Sequence, residues 1–536
     1  MAEMTGGQAI VESLQAHGVD TLFGILSVHM LPIYDALYDI PEMRLIVPRH
    51  EGAAAAMADG YFRATGQVGV CLTSTGPGAA NSCGAMLEAY SASSKVLHIT
   101  SQIPTEFLDR GKGFLHEAPG QLQMFEPLTG YRRHITAVEE IPEAIHWAFT
   151  ALQTQRPRPA LIEVPIDLQS ASAEVTIEPV EGYPIAEPDP MAIAKAVALL
   201  RRARRPILWA GGGVITAGAS SELIRLAERL SAPVLTTVSG RGTIPEEHPL
   251  CLGNFATAPE ISDFIASCDL MLALGTRFSA SATGRWKLRI PRTLIHVDLD
   301  EVNFDLNYPA RIRLRADVRT ALHALNTQLE GPLASEHNGT KIAELRERVR
   351  SAARSRLGQH EVVMDGLRAT LEREAIVVCD STIPAYFWGN CLLEIYEPRT
   401  SISPHGSTAI GLALPLALGA KAGRPDRQVV VIQGDGGFML HATELATAVQ
   451  YGLNAVVLLF NDSGYGILRR IQDRDYGGRR IGVDLHTPDF VRFAESFGAT
   501  GLRVMDPSQV SQALEQVLSG GKPALIELQL PGPGPS

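Results

Sequence analysis

Short runs of β-branched and aliphatic residues alternate along the whole chain with longer stretches whose apolar positions recur at helical spacing. This alternation predicts an α/β architecture, with parallel strands covered by helices on both faces. The clearest strand candidates are 68–73, 96–100, 160–164, 206–210, 270–274, 293–297, 376–379, 429–433 and 454–460. Two softer stretches interrupt the series: 171–190, with Pro179, Pro184, Pro188 and Pro190, and 331–340. They divide the chain into three consecutive doubly wound parallel-sheet domains, 1–172, 190–330 and 355–530. The alternating prolines and glycines of 531–536 read as a disordered tail.

Composition adds mainly exclusions. With 45% hydrophobic and 20% charged residues in 536 positions, the chain has the make-up of a folded enzyme-sized body. The net charge of −11 is spread out, and the basic run Arg201, Arg202, Arg204 and Arg205 falls on a predicted helix end, so nucleic acid is not an expected partner. No apolar run approaches the ~20 residues that span a bilayer, and the N-terminus has no basic segment leading into an apolar one; no membrane partner and a cytoplasmic location are expected. Six cysteines lack metal or redox spacing and read as buried thiols.

In the middle unit, Gly211, Gly212 and Gly213 directly follow a strand. The dinucleotide fingerprint fails, because Thr216 stands where its third glycine belongs. A tight turn is therefore favoured over a bound nucleotide or flavin.

The strongest chemical signal is the apolar strand 429–433, which runs into Gly434-Asp435-Gly436-Gly437 and a helix expected near Met439. Doubly wound sheets bind ligands at such strand ends, where glycines let backbone approach an anion. An aspartate there would repel phosphate unless a cation lay between them, so Asp435 points to a metal bridging carboxylate and diphosphate. A second strand ends at Asn461-Asp462-Ser463-Gly464-Tyr465, and Asp462 follows Asp435 by 27 residues. A strand–helix–strand unit fills that interval, so both ends can reach one ion. Magnesium suits such an all-oxygen set. A helix cap at Asp435 and a simple turn at Asn461-Asp462 are the structural alternative.

The other signal is Arg49-His50-Glu51-Gly52, followed by alanines and Ala58-Asp59-Gly60-Tyr61. Glu51 opens an alanine-rich helix, where a carboxylate suits the helix dipole.

Together these segments resemble the thiamine diphosphate enzymes, closest to the branch of acetolactate synthases, 2-oxo acid decarboxylases and benzaldehyde lyase, over almost the whole chain. The resemblance implies a thiamine diphosphate-binding fold at both ends and a Rossmann-like middle domain. It makes Asp435, Asp462 and the Gly464 carbonyl the Mg2+ ligands, with Gly434, Gly436, Gly437, Tyr465, Gly466 and Ile467 around the cofactor. Glu51 becomes the carboxylate that hydrogen-bonds the cofactor's pyrimidine ring, favouring an imino group that removes the thiazolium proton. Ser74, Pro77 and Asn81, in Ser74-Thr75-Gly76-Pro77-Gly78-Ala79-Ala80-Asn81, fall on the pyrimidine-side loop. Asp380 and Ser381 are expected near the diphosphate, Ile410 under the bent cofactor, and the Thr408 carbonyl on the aminopyrimidine.

The same resemblance places Arg277 opposite the acceptor 2-oxo acid and His29 near the thiazolium. The chain also departs from the pattern. Asp462 stands where the family usually has asparagine, leaving Asn461 as a ligand if the register slips by one. Ile471 replaces a specificity tryptophan, and His116 replaces a phenylalanine opposite the cofactor. His29 and His116 are read as proton-handling groups, since imidazole titrates near neutrality.

The resemblance thus implies a non-oxidative lyase or carboligase for a 2-oxo acid or 2-hydroxyketone, working as a homodimer at least and as a homotetramer by expectation. A flavin-dependent oxidase related to pyruvate oxidase, with FAD in the middle domain, is the alternative, beside a benzaldehyde lyase-like C–C lyase and a family member that binds without turnover.

Overall fold

A computed structural model describes residues 2–331, 333, 335–530 and 532. It holds three six-stranded sheets in which every neighbouring pair is parallel. The first runs, edge to edge, Arg44–Ile46, Thr21–Gly24, Gly69–Thr73, Val96–Gln102, Ala160–Pro165 and Tyr131–His134. The second runs Cys251–Gly253, Val234–Thr236, Pro206–Ala210, Leu270–Leu274, Thr293–Asp298 and Ile312–Arg315. The third runs Ser401–Ile402, Ile376–Cys379, Val429–Gly434, Ala455–Phe460, Ala524–Leu528 and Thr500–Val504.

Central strands such as Ala455–Phe460 are buried along their whole length because helices cover both faces, which is why they read as unbroken apolar runs. In each sheet the chain turns back once past its first strand, and a crevice opens at the carboxyl ends of the two strands flanking that point. Those flanking pairs are Thr21–Gly24 with Gly69–Thr73, Pro206–Ala210 with Leu270–Leu274, and Ile376–Cys379 with Val429–Gly434. Candidate residues after Val429–Gly434 and Ala455–Phe460 line the third of these crevices, and Arg277 lines the second.

The first and third units share one hydrophobic core. The alanine-rich helix Glu51–Thr65 of the first unit crosses Ala413–Gly423 of the third with backbone against backbone. A Cβ added at Gly60 would overlap the Leu416 carbonyl, and one at Gly419 would overlap the carbonyl of Met57. Only glycine permits that approach.

Two expectations change. The stretch 171–190 is not wholly a linker, because Ser172–Val175 pairs antiparallel with Ala2–Thr5 and closes the first unit. The helix expected near Met439 instead begins at Asp435, ends at Phe438, and is followed by Glu444–Tyr451. The expected tail 531–536 lies outside the described residues except Gly532. Among the described residues no helix is long and apolar enough to cross a membrane.

Candidate functional site

The crevice of the third sheet is a cavity of about 190 Å3. Its walls bring together Ser381, Thr408, Ile410, Gly434, Asp435, Gly436, Gly437, Asp462, Gly464, Tyr465, Gly466 and Ile467. Asp435 is buried, with one side-chain oxygen, Oδ2, accepting from the Gly464 N–H at 2.9 Å. Its other oxygen, Oδ1, is buried with no hydrogen-bond partner among the described residues. Burial first, and then the neighbouring Asp462 carboxylate, hold Asp435 well above the usual carboxylate range. A buried, unpaired carboxylate oxygen beside a second carboxylate is costly unless a cation joins them.

Asn461 also lines this cavity, but its side-chain groups are already engaged. Its amide donates to Glu527 Oε1 at 2.7 Å and its oxygen accepts from Ser463 N–H at 3.0 Å. Asp462, not Asn461, is therefore the side chain coupled to Asp435. Among the described residues no three His, Cys, Asp or Glu side chains converge as a metal cluster. The Asp435–Asp462 pair thus fits a cation whose remaining ligands are carbonyl and phosphate oxygens.

The glycines are required by close neighbours at the cavity wall. A Cβ on Gly437 would sit 2.6 Å from Asp380 Oδ2, and one on Gly436 would press on the Tyr465 ring at 2.7 Å. Asp380, expected at the diphosphate, is buried beside Gly437. Its buried carboxylate accepts from the N–H groups of Ser381 and Gly411 and from Gln433 Nε2, so it anchors the Gly406–Pro415 turn from beneath. Burial raises it to about 6. Ser381 Oγ donates to the Thr408 carbonyl at 3.2 Å, and Thr408 itself adopts a left-handed φ of 62°.

The crevice of the first sheet gathers a separate cluster. Glu51 follows His50, whose Nδ1 caps the helix by accepting from the Gly52 N–H at 3.0 Å. Capping is thus done by the histidine, and Glu51 Oε2 accepts from Asn81 Nδ2 at 2.9 Å. Gly78, beside Pro77, lies between Glu51 and Ser74: a Cβ there would be 3.4 Å from Glu51 Oε1 and 3.0 Å from Ser74 Cβ. Ser74 Oγ meets Ser27 Oγ at 2.7 Å and His116 Nδ1 at 3.5 Å. The rings of His29 and His116 are 5.0 Å apart. His29 is buried, and its Nδ1 has no partner among the described residues. Burial, and then His116, push its imidazole below the usual range.

The sequence reading missed the residues that hold these loops. Gln121 Oε1 accepts from Thr75 Oγ1 at 2.9 Å and from the Gly76 N–H at 2.6 Å, while its amide donates to Glu163 at 2.8 Å. Glu88, fully buried, accepts from Ser407 N–H and Oγ at 2.7 and 2.6 Å and is paired with Arg63 at 2.9 Å. No local motif marks either residue, because their partners lie tens to hundreds of positions away.

Arg277 lies in the crevice of the second sheet, a cavity of about 570 Å3 that reaches Thr408 and so adjoins the third-sheet site. It donates to the Ser91 carbonyl at 3.2 Å. The triplet Gly211–Gly213 packs at the floor of this crevice, with the Gly213 N–H on the Gly275 carbonyl at 3.1 Å; a Cβ on Gly211 would overlap that carbonyl. Ile471 sits mid-helix in Gly466–Asp475, outside the walls of either cavity.

Three crevices at the reversals of three parallel sheets, with a carboxylate pair in the last and a helix-borne glutamate in the first, define a cofactor enzyme of one family. Residues 4–124, 193–325 and 385–528 match the models of the N-terminal TPP binding, central and C-terminal TPP binding domains of the thiamine pyrophosphate enzymes. The chain belongs to this family. It is 36% identical to a probable 2-ketoarginine decarboxylase of Pseudomonas aeruginosa, over 98% of this chain and 94% of that protein. It is 33% identical to a probable acetolactate synthase large subunit of Methanocaldococcus jannaschii, covering 98% and 92% of the two chains. It is also 33% identical to the acetolactate synthase large subunit of Corynebacterium glutamicum, covering 98% and 86%. Within the family it stands in the acetolactate synthase and decarboxylase branch.

Proposed function

We propose that this chain is a thiamine diphosphate- and Mg2+-dependent enzyme that decarboxylates a 2-oxo acid and then releases the product or joins it to a second carbonyl. The observation that carries the reading is the buried Asp435 Oδ1, unpaired beside Asp462 at the ends of adjacent parallel strands. Asp435, Asp462 and the Gly464 carbonyl would hold the cation, and Gly434, Gly436 and Gly437 would leave room for a diphosphate. Thiamine diphosphate, when bound, supplies a carbanion at its thiazolium ring that attacks carbonyl carbon.

The remaining work belongs to side chains. Glu51, steadied by Asn81, would hold the proton of a pyrimidine nitrogen. Ile410, 38% exposed above the cavity, would support the cofactor, and the Thr408 carbonyl, oriented by Ser381, would accept from its amino group. Burial lowers the His29 imidazole below its usual range, and its Nδ1, without a partner among the described residues, would exchange a proton with substrate, with His116 alongside. Arg277 would meet a substrate carboxylate from the adjoining crevice.

The names of the relatives support the 2-oxo acid class. We assign the working unit as at least a dimer, with the Glu51 cluster of one copy facing the Asp435 cavity of another. Exposed Leu26, Val28, Leu31 and Leu115 near the first cluster, and Met439, Leu440 and Leu468 near the second, are apolar surface that such a face would cover.

The test is CO2 release from 2-oxo acids, 2-oxo-5-guanidinopentanoate and pyruvate among them, with and without thiamine diphosphate and Mg2+. Release that needs both additions, and is lost on Asp435→Ala, is the expected outcome. Release indifferent to either addition would overturn the reading.

A further inference from the structure

The second carboxylate of the pair has a neighbour that no motif announced. Arg469 lies one turn into the helix that follows the Asp462 loop and is only 17% exposed. Its Nη1 donates to the Asp462 carbonyl at 2.9 Å and its Nη2 to the Ser463 carbonyl at 2.7 Å. Nη1 also stands 3.5 Å from Asp462 Oδ2, and Nε donates to Asp484 Oδ1 at 2.7 Å. The Asp484 segment is itself bound to the loop. Gly464 bridges Asp484, the Tyr465 N–H donates to the Val483 carbonyl at 2.9 Å, and the Leu485 N–H to the Ser463 carbonyl at 2.9 Å.

The electrostatics of this loop need a cation of their own. Asp435 and Asp462 are adjacent carboxylates, and a diphosphate brought to them adds more negative charge than one divalent ion cancels. The guanidinium is placed where it touches both the backbone that presents Asp462 and the carboxylate itself. A planar fork can do this in one position, with two N–H groups on carbonyls and a third on Asp484.

We propose that Arg469 is a positioning residue that supplies the counter-charge for Asp462, allowing a carboxylate rather than a neutral amide to serve as the second metal ligand. This inference rests on the metal and diphosphate reading of the Asp435 cavity. The alternative assignment of Arg469 is a mechanical clamp, joining the metal loop to Asp484 without regard to the charge at 462.

The two differ in a binding measurement. Calorimetric titration of the full-length protein with thiamine diphosphate in excess Mg2+ is compared for wild type, Arg469→Met, Asp462→Asn and the double variant. Arg469→Met is expected to weaken uptake about tenfold or more, and the loss is expected to shrink below about threefold when Asp462 is already asparagine. Arg469→Lys keeps the charge without the fork and is expected to bind within about threefold of wild type.

A loss of the same size in both Asp462 backgrounds overturns the proposal. So does an equal loss for lysine and methionine, or a loss relieved by Asp484→Asn and not by Asp462→Asn. Melting of each cofactor-free variant reports folding separately, and if Arg469→Met does not fold, Arg469→Lys carries the test. Wild type that takes up no cofactor refutes the cavity reading, whereas wild type that binds while Arg469→Met binds equally well refutes only the role of Arg469.

Discussion

Glu51 begins its helix with Oε2 on Asn81 and the cap already supplied by His50, so its carboxylate is not consumed in holding the helix. Glu51→Gln keeps the shape and removes the proton-holding oxygen. CO2 release is expected to fall by about 10²- to 10⁴-fold while calorimetric uptake of the cofactor stays within a few-fold. His98 offers a contrasting residue. Its Nε2 meets Thr73 Oγ1 at 2.7 Å inside the first sheet, and burial pushes its imidazole down to about 3 from 6.5. Between those values the unfolded chain binds a proton that the folded chain refuses, so stability rises with pH across the window. The contribution is present above pH 6.5 and lost as pH falls toward 3. From pH 6.5 to 5 the loss is about 2 kcal/mol for one such group. His98→Gln is expected to flatten the fall in urea midpoint over that range, and an unchanged slope would exclude His98 as its source.

Among elements, the crossing of Glu51–Thr65 over Ala413–Gly423 admits a direct trial. Alanine favours a helix over glycine by about 1 kcal/mol, which alone would make Gly419→Ala stabilising. The added methyl would overlap the Met57 carbonyl, a backbone atom that cannot swing aside, and overpacking costs about 1–3 kcal/mol. Net destabilisation is therefore expected, read as a lower urea midpoint at constant slope. The elements the sequence displayed best are those buried on both faces, such as Ala455–Phe460 and Leu270–Leu274, where every position is apolar. Edge strands escaped notice. Tyr131–His134 and Ile312–Arg315 carry arginines on their open side, and Arg44–Ile46 is three residues long. Strand Ala2–Thr5 needed a partner about 170 residues away before it had any pattern to show.

At the scale of the molecule, three consecutive parallel-sheet units were legible because their long buried strands read as separate apolar runs, while the short interior strands Thr21–Gly24 and Val234–Thr236 did not stand out. The carboxylate pair was legible for a related reason, since strand ends and glycines are local features. What stayed hidden is what crosses the chain. Asn461 is engaged by Glu527, 66 residues on, and the Thr408 turn is held by Glu88, over 300 residues earlier. The dimer reading also belongs here. Serial dilution followed by sedimentation is expected to show specific activity falling in step with dissociation, and an active monomer would count against a site shared between copies.

The glycine-to-carbonyl seam between Glu51–Thr65 and Ala413–Gly423 carries one more implication. The two chemical ends of the polypeptide each keep an interior of their own but also share a third one, so neither is a portable module. A fragment stopping at residue 175 would present a bare sheet of alanine methyls to water and is expected to precipitate unless its opposite terminus is co-expressed. The stretch between them, with its own interior, is the piece that should survive excision.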